Sequence, residues 1–184
     1  MQVAILSDMH VPGQADALPD AFAERVADAD HVVHAGDFGS LDALARVRSL
    51  ADELTAVYGN ADPAEVPLPA VASTAVGGVA FVVSHGEVNP VERAVVHRAE
   101  GIVKHRDDWL DAVADVARTR AAVADLDAPL VGVAGHSHEV EDEVHEGVRV
   151  LNPGSATAAG PAERATMMTA EVADGEVDVT VHEA

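Results

Sequence analysis

The chain contains no cysteine, which excludes disulfides, thiolate metal sites and a cysteine nucleophile. Aromatic residues make up only 3% of it, so the core must be aliphatic, and no aromatic platform for stacking bases is visible. Bases are scarce too. Eleven of them face thirty-two acids, Lys104 is the sole lysine, and the formal charge is −21 over 184 residues. That balance argues against a nucleic-acid partner, which needs a basic footprint. No apolar run approaches the ~18–20 residues of a membrane span. The opening MQVAILSDMH has no basic segment of the kind that begins a signal peptide. These absences predict a cytoplasmic protein that does not engage a membrane.

The acids are distributed rather than gathered into a tail. In DDWLDAVADVARTRAAVADLD, residues 107–127, they alternate with apolar residues at helical spacing and read as solvated faces of folded elements. Such a surface resembles that of proteins from salt-accumulating halophiles, where a Debye length of ~3 Å at 1 M salt screens the self-repulsion. A halophilic archaeal origin is the expectation.

The length suits a single domain with a real core. Gln2 to Leu6, His31 to Ala35 and Leu54 to Tyr58 read as strands. Helices over Ala15 to Ala29, interrupted early by Pro19, and over Ser40 to Ala51, with Ser40 as N-cap, separate them. This alternation is the βαβ signature of a parallel sheet. Val71 to Val76 and Val79 to Ser84, joined by Gly77-Gly78, read as a hairpin. Helical stretches over Val91 to Val103 and Asp107 to Asp125 precede a strand from Leu130 to Ala134. Short strands follow over Glu139 to Val144, Val148 to Leu151, Ala165 to Val172 and Glu176 to His182. Parallel units followed by antiparallel strands predict an α/β fold, with two mixed sheets packed face to face and flanked by helices.

Potential metal-binding side chains recur where the predicted strands stop. The first ends in Asp8-Met9-His10, the second in Gly36-Asp37 and the third in Gly59-Asn60. The hairpin ends in Ser84-His85-Gly86, and the later strand in Gly135-His136-Ser137-His138. Open α/β sheets place their ligands outside the carboxyl ends of strands. Taken singly, each of these motifs reads better as a turn or a satisfied polar residue. Five strand ends in order carrying D-x-H, D, N, H and H-x-H do not.

The ordered set DxH, GD, GN, H, GHxH resembles the calcineurin-like metallophosphoesterase superfamily. GNAD in place of GNHE, and Asn152-Pro-Gly-Ser155 after GHxH, resemble its small bacterial and archaeal phosphodiesterase branch. The resemblance runs from Asp8 through Ser155. It implies two divalent cations, with Asp8, His10 and His138 on the first, Asn60, His85 and His136 on the second, and Asp37 bridging. An all-nitrogen and oxygen set suits Mn, Ni, Fe, Zn or Co, with Mn favoured. Two divalent cations bring +4 against −2 from Asp8 and Asp37, leaving a positive pocket for a phosphoester on an acidic protein. The implied mechanism is in-line attack on phosphorus by a metal-bridging hydroxide, with Asp37 and His85 as the catalytic side chains.

Three departures qualify that expectation. Many relatives carry histidine after GN, for leaving-group protonation or substrate binding, but here Ala61 stands there, followed by Asp62, read as the cap of the next turn. The expectation is that the enzyme favours good leaving groups, uses water or recruits another side chain. His85-Gly86-Glu87 replaces H-G-H, which leaves Glu87 without an assigned role. The 51 positions from His85 to His136 exceed those of compact relatives. The excess, at about 89–127, carries His97, His105 and Trp109 and reads either as a lid over the pocket or as a surface or interface elaboration, the latter favoured and consistent with a homo-oligomer. Asn152 to Ser155 is either a turn presenting backbone donors or a structural corner, and Ser137 is expected to face away from the metals. Arg164 and Asn60 are the candidates for substrate binding, while His31 and His34 read as structural. The expected function is hydrolysis of a small phosphodiester. The alternatives are a phosphomonoesterase or nucleotide pyrophosphohydrolase on the same site, or a non-catalytic scaffold like the retromer subunit of this fold.

Overall fold

Strand β1 (Gln2–Leu6) is buried along both faces: Val3 and Ile5 pack to one side, Ala4 and Leu6 to the other. A strand alternates its side chains with period two, so this pattern demands a layer on each side of the sheet. The computed structural model, which describes residues 1–87 and 106–184, supplies both layers. The first sheet has β1 at its centre. β2 (His31–His34) and then β3 (Leu54–Ala56) run parallel to it on one side. On the other side β9 (Thr166–Ala173) pairs antiparallel with β1 and β10 (Glu176–Glu183) antiparallel with β9, giving the order β10-β9-β1-β2-β3.

The second sheet also has five strands, in the order β4-β5-β6-β8-β7. The predicted hairpin is β4 (Val71–Val76) with β5 (Val79–Ser84), and β6 (Leu130–Val133) adds in parallel to β5. β8 (Val148–Pro153) is parallel to β6, and β7 (Val140–His145) closes the edge antiparallel to β8.

Three apolar clusters define the layers. Between the sheets, Val3, Ile5 and Val33 meet Phe81, Val83, Val131 and Val133. On the outer face of the first sheet, Leu6, Val32 and Met167 pack with Phe22 and Val26 of α1 (Asp20–Asp28) and with Leu44 and Val47 of α2 (Leu41–Leu50). On the outer face of the second, Val82, Val148 and Val150 pack under Trp109, Leu110, Val113 and Ala117 of α3 (Arg106–Val123). The expected sandwich of two mixed sheets between helices is the observed architecture.

The local differences have simple causes. Helix α1 starts only at Asp20, because Pro19 occupies its N-cap position; proline is accepted at a helix start and not within one. Ser40 caps α2 as expected, its Oγ accepting the Ala43 N–H at 3.1 Å. The segment 89–127 is corrected in its described part. α3 buries six side chains against the second sheet and is a layer of the core, not a surface elaboration. The predicted helix over Val91 to Val103, with His97 and His105, lies outside the described residues.

Acids cover the outside of this frame: Asp107, Asp108, Asp111 and Asp115 of α3 and Glu176 and Asp178 of β10 are all exposed. Several arginines are already spent in surface ion pairs, such as Arg149 with Asp142 and Arg118 with Asp115, which contribute little each. Repulsion among the remaining carboxylates should therefore limit stability at low salt. The melting temperature is expected to rise by at least ~4 °C between about 0.1 M and about 2 M KCl, as the Debye length contracts. A melting temperature that is flat or falls over that range would contradict this account of the charge.

Candidate metal centre

Parallel pairing brings the carboxyl ends of β1, β2 and β3, and those of β5 and β6, to one rim. The loops leaving those ends are sewn together by backbone bonds. Asp8 N–H donates to Gly36 O (3.0 Å), His10 N–H to Asp37 O (3.0 Å) and Gly135 N–H to His85 O (3.0 Å). Two glycines permit the close approach. A Cβ on Gly59 would stand 2.2 Å from Asp37 Oδ1, and one on Gly135 would stand 2.5 Å from Asp8 Oδ2.

Among the described residues, nine that are not glycine have positive φ, and five of these are Asp8 (52°), His10 (47°), Asp37 (58°), His136 (71°) and His138 (60°). Left-handed backbone at such residues costs of order 1–3 kcal/mol each and persists only where the surroundings over-determine it. The reward is direction: their side chains converge.

His138 Nε2 lies 3.2 Å from both Asp8 Oδ1 and His10 Nε2. His10 Nε2 and His85 Nε2 each lie 3.4 Å from Asp37 Oδ2. Asn60 Oδ1 completes the group, 2.9 Å from His85 Nε2 and 2.7 Å from His136 Nδ1. All seven residues expected from the sequence thus share one cluster. Within it, Asp8, His10 and His138 form one set, and Asp8, Asp37 and His85 another, each with candidate ligand atoms within 4.8 Å of one another.

The donor chemistry fits divalent cations. His85 Nδ1 donates to Ala35 O and His138 Nδ1 to Ala159 O, each at 2.8 Å. A neutral ring that gives its proton to a carbonyl presents a bare Nε2 on its other side, the arrangement second-shell partners impose on metal-binding histidines. Here those bare nitrogens face other acceptors, and convergent lone pairs of this kind call for a cation.

The protonation tendencies agree. Burial works against a charged His85, but Asp37 beside it outweighs burial and holds its pKa above the ordinary histidine value. Burial likewise opposes a charged His138, and Asp8 with Ala159 O prevails. In His136, burial and then the neighbouring His85 lower the pKa. Burial would raise Asp37, yet His85, the Ala61 N–H and His10 keep it below its usual range. Behind the rim His34 is fully enclosed and stacked on Phe38 (3.6 Å between ring centres). Burial pushes its pKa to about 3 despite Asp8 and Asp37. It is a neutral imidazole whose Nδ1 accepts the Gly36 N–H, in line with the structural reading.

The supporting residues were harder to foresee. Asp62 does not merely cap a turn: its carboxylate accepts from the N–H groups of Asp37 (3.0 Å), Gly39 (2.9 Å) and Gly59 (2.9 Å), locking two loops together. Asn152 to Ser155 is a structural corner. The Asn152 amide donates to Gly135 O and Ser137 Oγ, and Ser155 Oγ donates to Asp8 O while accepting from Ala159 N–H. Ser7 Oγ donates to Gly154 O. Ser137 is therefore tied to the scaffold, as its alternation with the two histidines implied. The signal for Asn152 and Ser155 was their place directly after a strand facing GHSH; for Ser7 there was none. Of the two partners open to Arg164, a phosphate or only a carboxylate, its guanidinium here bonds the carboxylate of Glu183 on edge strand β10 at 2.7 Å, both side chains largely exposed.

Removing the Asp62 clamp leaves three backbone donors without their acceptor. Asp62→Ala should lower the unfolding free energy in urea by about 2–3 kcal/mol and weaken Mn binding, whereas a merely local cap would cost about 1. Protons and cations compete for the same Nε2 atoms. His85 and His138 are protonated below their raised pKa values, so affinity should fall as pH drops through them, beginning above the ordinary ~6.5. Calorimetric Mn titration should show at least ~10-fold weaker binding at about pH 6 than at about pH 8.5. Equal affinity at both would exclude these imidazoles as ligands.

The comparisons bear on the same residues. The description "Calcineurin-like phosphoesterase superfamily domain" matches residues 1–175. A "Probable metallophosphoesterase" of Methanothermobacter thermautotrophicus is 29% identical over 85% of this chain and 78% of its own length. Vps29 of Entamoeba histolytica, crystallised in complex with zinc, superposes with a TM-score of 0.67 at 23% identity, covering 100% of this chain and 99% of that one. A structure described as a novel archaeal phosphodiesterase superposes at 0.64 and 23% identity, covering 99% of this chain and all of that one. At that identity the two structures speak to the fold alone. The family match spans nearly the whole chain and includes every strand end on the rim: this protein belongs to the calcineurin-like phosphoesterase superfamily.

Proposed function

We propose that the protein hydrolyses small phosphodiesters using two divalent cations, Mn favoured, held by Asp8, His10 and His138 on one side and Asn60, His85 and His136 on the other, with Asp37 between them. The observation that carries this reading is the convergence of all seven side chains, from five strand ends, on one partly open cluster. When bound, such a pair of cations lowers the pKa of water and offsets charge developing on phosphoryl oxygens.

The chain's own contribution is positioning. Ala35 O and Ala159 O fix the faces that His85 and His138 turn inward. The Ala61 N–H donates to Asp37 Oδ1 at 2.7 Å, orienting that carboxylate and leaving Oδ2 toward His10 and His85. Asn60 Oδ1 spans His85 and His136. The methyl of Ala61 has no proton to give, so the departing oxygen leaves with its own charge or takes a proton from water or another side chain. Esters with acidic leaving groups are the substrates this favours. The negative field of the whole molecule also suits diesters, which carry one charge, over monoesters, which carry up to two.

A scaffold is the competing reading, since Vps29 of Entamoeba histolytica shares the fold and was crystallised with zinc. Metal binding alone does not separate the two; turnover does. Protein purified in molar salt and stripped with chelator should regain hydrolysis of bis-p-nitrophenyl phosphate on addition of Mn or Ni, and act more slowly on p-nitrophenyl phosphate. Asp37→Asn should lose at least ~10³-fold in kcat. No metal-dependent turnover on either ester would leave the scaffold. A preference for the monoester would make the protein a phosphomonoesterase, and wild-type rates in Asp37→Asn would remove that residue from the bridging position.

A further inference from the structure

Beside the metal centre lies an apolar cavity of about 190 Å³. One wall comes from the segment between β3 and β4, with Tyr58 and Ala70, and from Val71 at the start of β4; the other comes from α3, with Ala112, Val113 and Val116. Its mouth is shared with the centre, because His85 and Gly59 line it as well. His85 Nε2 is the atom 3.4 Å from Asp37 Oδ2, and Gly59 immediately precedes Asn60. A group entering the cavity is therefore one residue away from the reacting position.

We infer that this cavity is a subsite for a flat, uncharged aromatic ester group, the one that stays on phosphorus while the other departs. The inference rests on the phosphodiesterase reading above. Size is the first argument: an apolar cavity of about 150 Å³ holds benzene, so this one takes a single substituted ring. Composition is the second. The walls are mostly hydrocarbon, with Ser84, His85 and Glu87 as polar members beside the tyrosine, and among the described lining residues no arginine or lysine is present to pair with a further phosphate. A nucleotide's additional phosphates would find no counter-charge among these residues, and the Glu87 carboxylate would repel them. The third is Tyr58, whose side chain lines the cavity yet is 44% exposed. A large ring left open at the edge of an apolar cleft gains by offset stacking on a planar guest. Ala112 and Val116, one helical turn apart on the same face of α3, are only half-buried and line this space, which the described residues do not fill.

The test keeps the leaving group constant. Bis-p-nitrophenyl phosphate and methyl p-nitrophenyl phosphate both release p-nitrophenol and differ only in what remains on phosphorus. With Mn-loaded wild type, kcat/KM should be at least ~10-fold higher for the bis-aryl ester, mainly through KM. Ala112→Phe, which fills the cavity, and Tyr58→Ala, which removes its exposed wall, should each bring the ratio to within ~2-fold while the methyl ester is still turned over. The two variants act in opposite steric directions, and the Tyr58 side chain is exposed, so at least one is expected to fold; thermal unfolding verifies this.

A second readout needs no metal. Trp109, the only tryptophan, packs against cavity-lining Gly86, where an added Cβ would stand 3.0 Å from its Nε1. p-Nitrophenol should quench its fluorescence saturably in metal-free wild type and not in Ala112→Phe. Quenching lost in the variant, without turnover of either ester, would uphold the subsite and defeat the enzyme reading. Turnover with a ratio unmoved by both variants would uphold the enzyme and overturn the subsite, and quenching retained in Ala112→Phe would overturn the subsite as well.

Discussion

Mutual repulsion among inward-facing lone pairs is the constraint on which this structure turns. Two carboxylates, an amide oxygen and four imidazoles are crowded so closely that His10 Nε2 and His138 Nε2 stand 3.2 Å apart. Asp37 beside His85 and Asp8 beside His138 relieve part of that repulsion, and a cation would relieve more of it. The rest of the fold supplies the force that holds it. Interleaved aliphatic side chains fix the two sheets face to face, and backbone bonds between loops fix the ends of the strands. Asp62, Asn152 and Ser155 then remove the remaining freedom of those loops. A rigid frame around an electrostatically unfavourable centre is what a preorganised binding site requires.

This division of labour explains how far the sequence could be read. Strands β1, β4 and β5 fell at their observed positions, because Val-rich alternation and a Gly-Gly turn carry strong local signals. The candidate ligands were legible for a different reason. Each follows a strand directly, so chain order alone put Asp8, Asp37, Asn60, His85 and His136 on one rim once the strands were parallel. Family resemblance grouped them by metal, and the observed contacts bring the same side chains together.

What remained hidden depends on contacts between residues far apart in the chain. Asp62 looks like a turn residue until Asp37 and Gly39, more than twenty positions earlier, bring their N–H groups to it. Ser7 is one polar residue after an apolar strand, and only the arrival of Gly154 gives its hydroxyl a partner. Arg164 drew attention by its charge and position in the chain, but β10, the last strand, offered Glu183 first. The helix α3 was misread as an addition because its apolar stripe is built largely from alanine and valine. That weak amphipathic signal becomes a core face only against Val82, Val148 and Val150.

The separation in sequence of the cluster's members has a consequence for how the molecule comes together. His10 and His138 are 128 positions apart, and the Ser155 hydroxyl reaches back 147 positions to Asp8. Contacts of such range close late, after the entropy of long loops has been lost. No single βα unit can hold a cation in this way; the centre exists only when both sheets have docked. A bound ion would then discriminate between the finished molecule and every partly assembled one, stabilising only the former through mass action. Loaded with a cation, the centre would act as a latch on the completed sandwich.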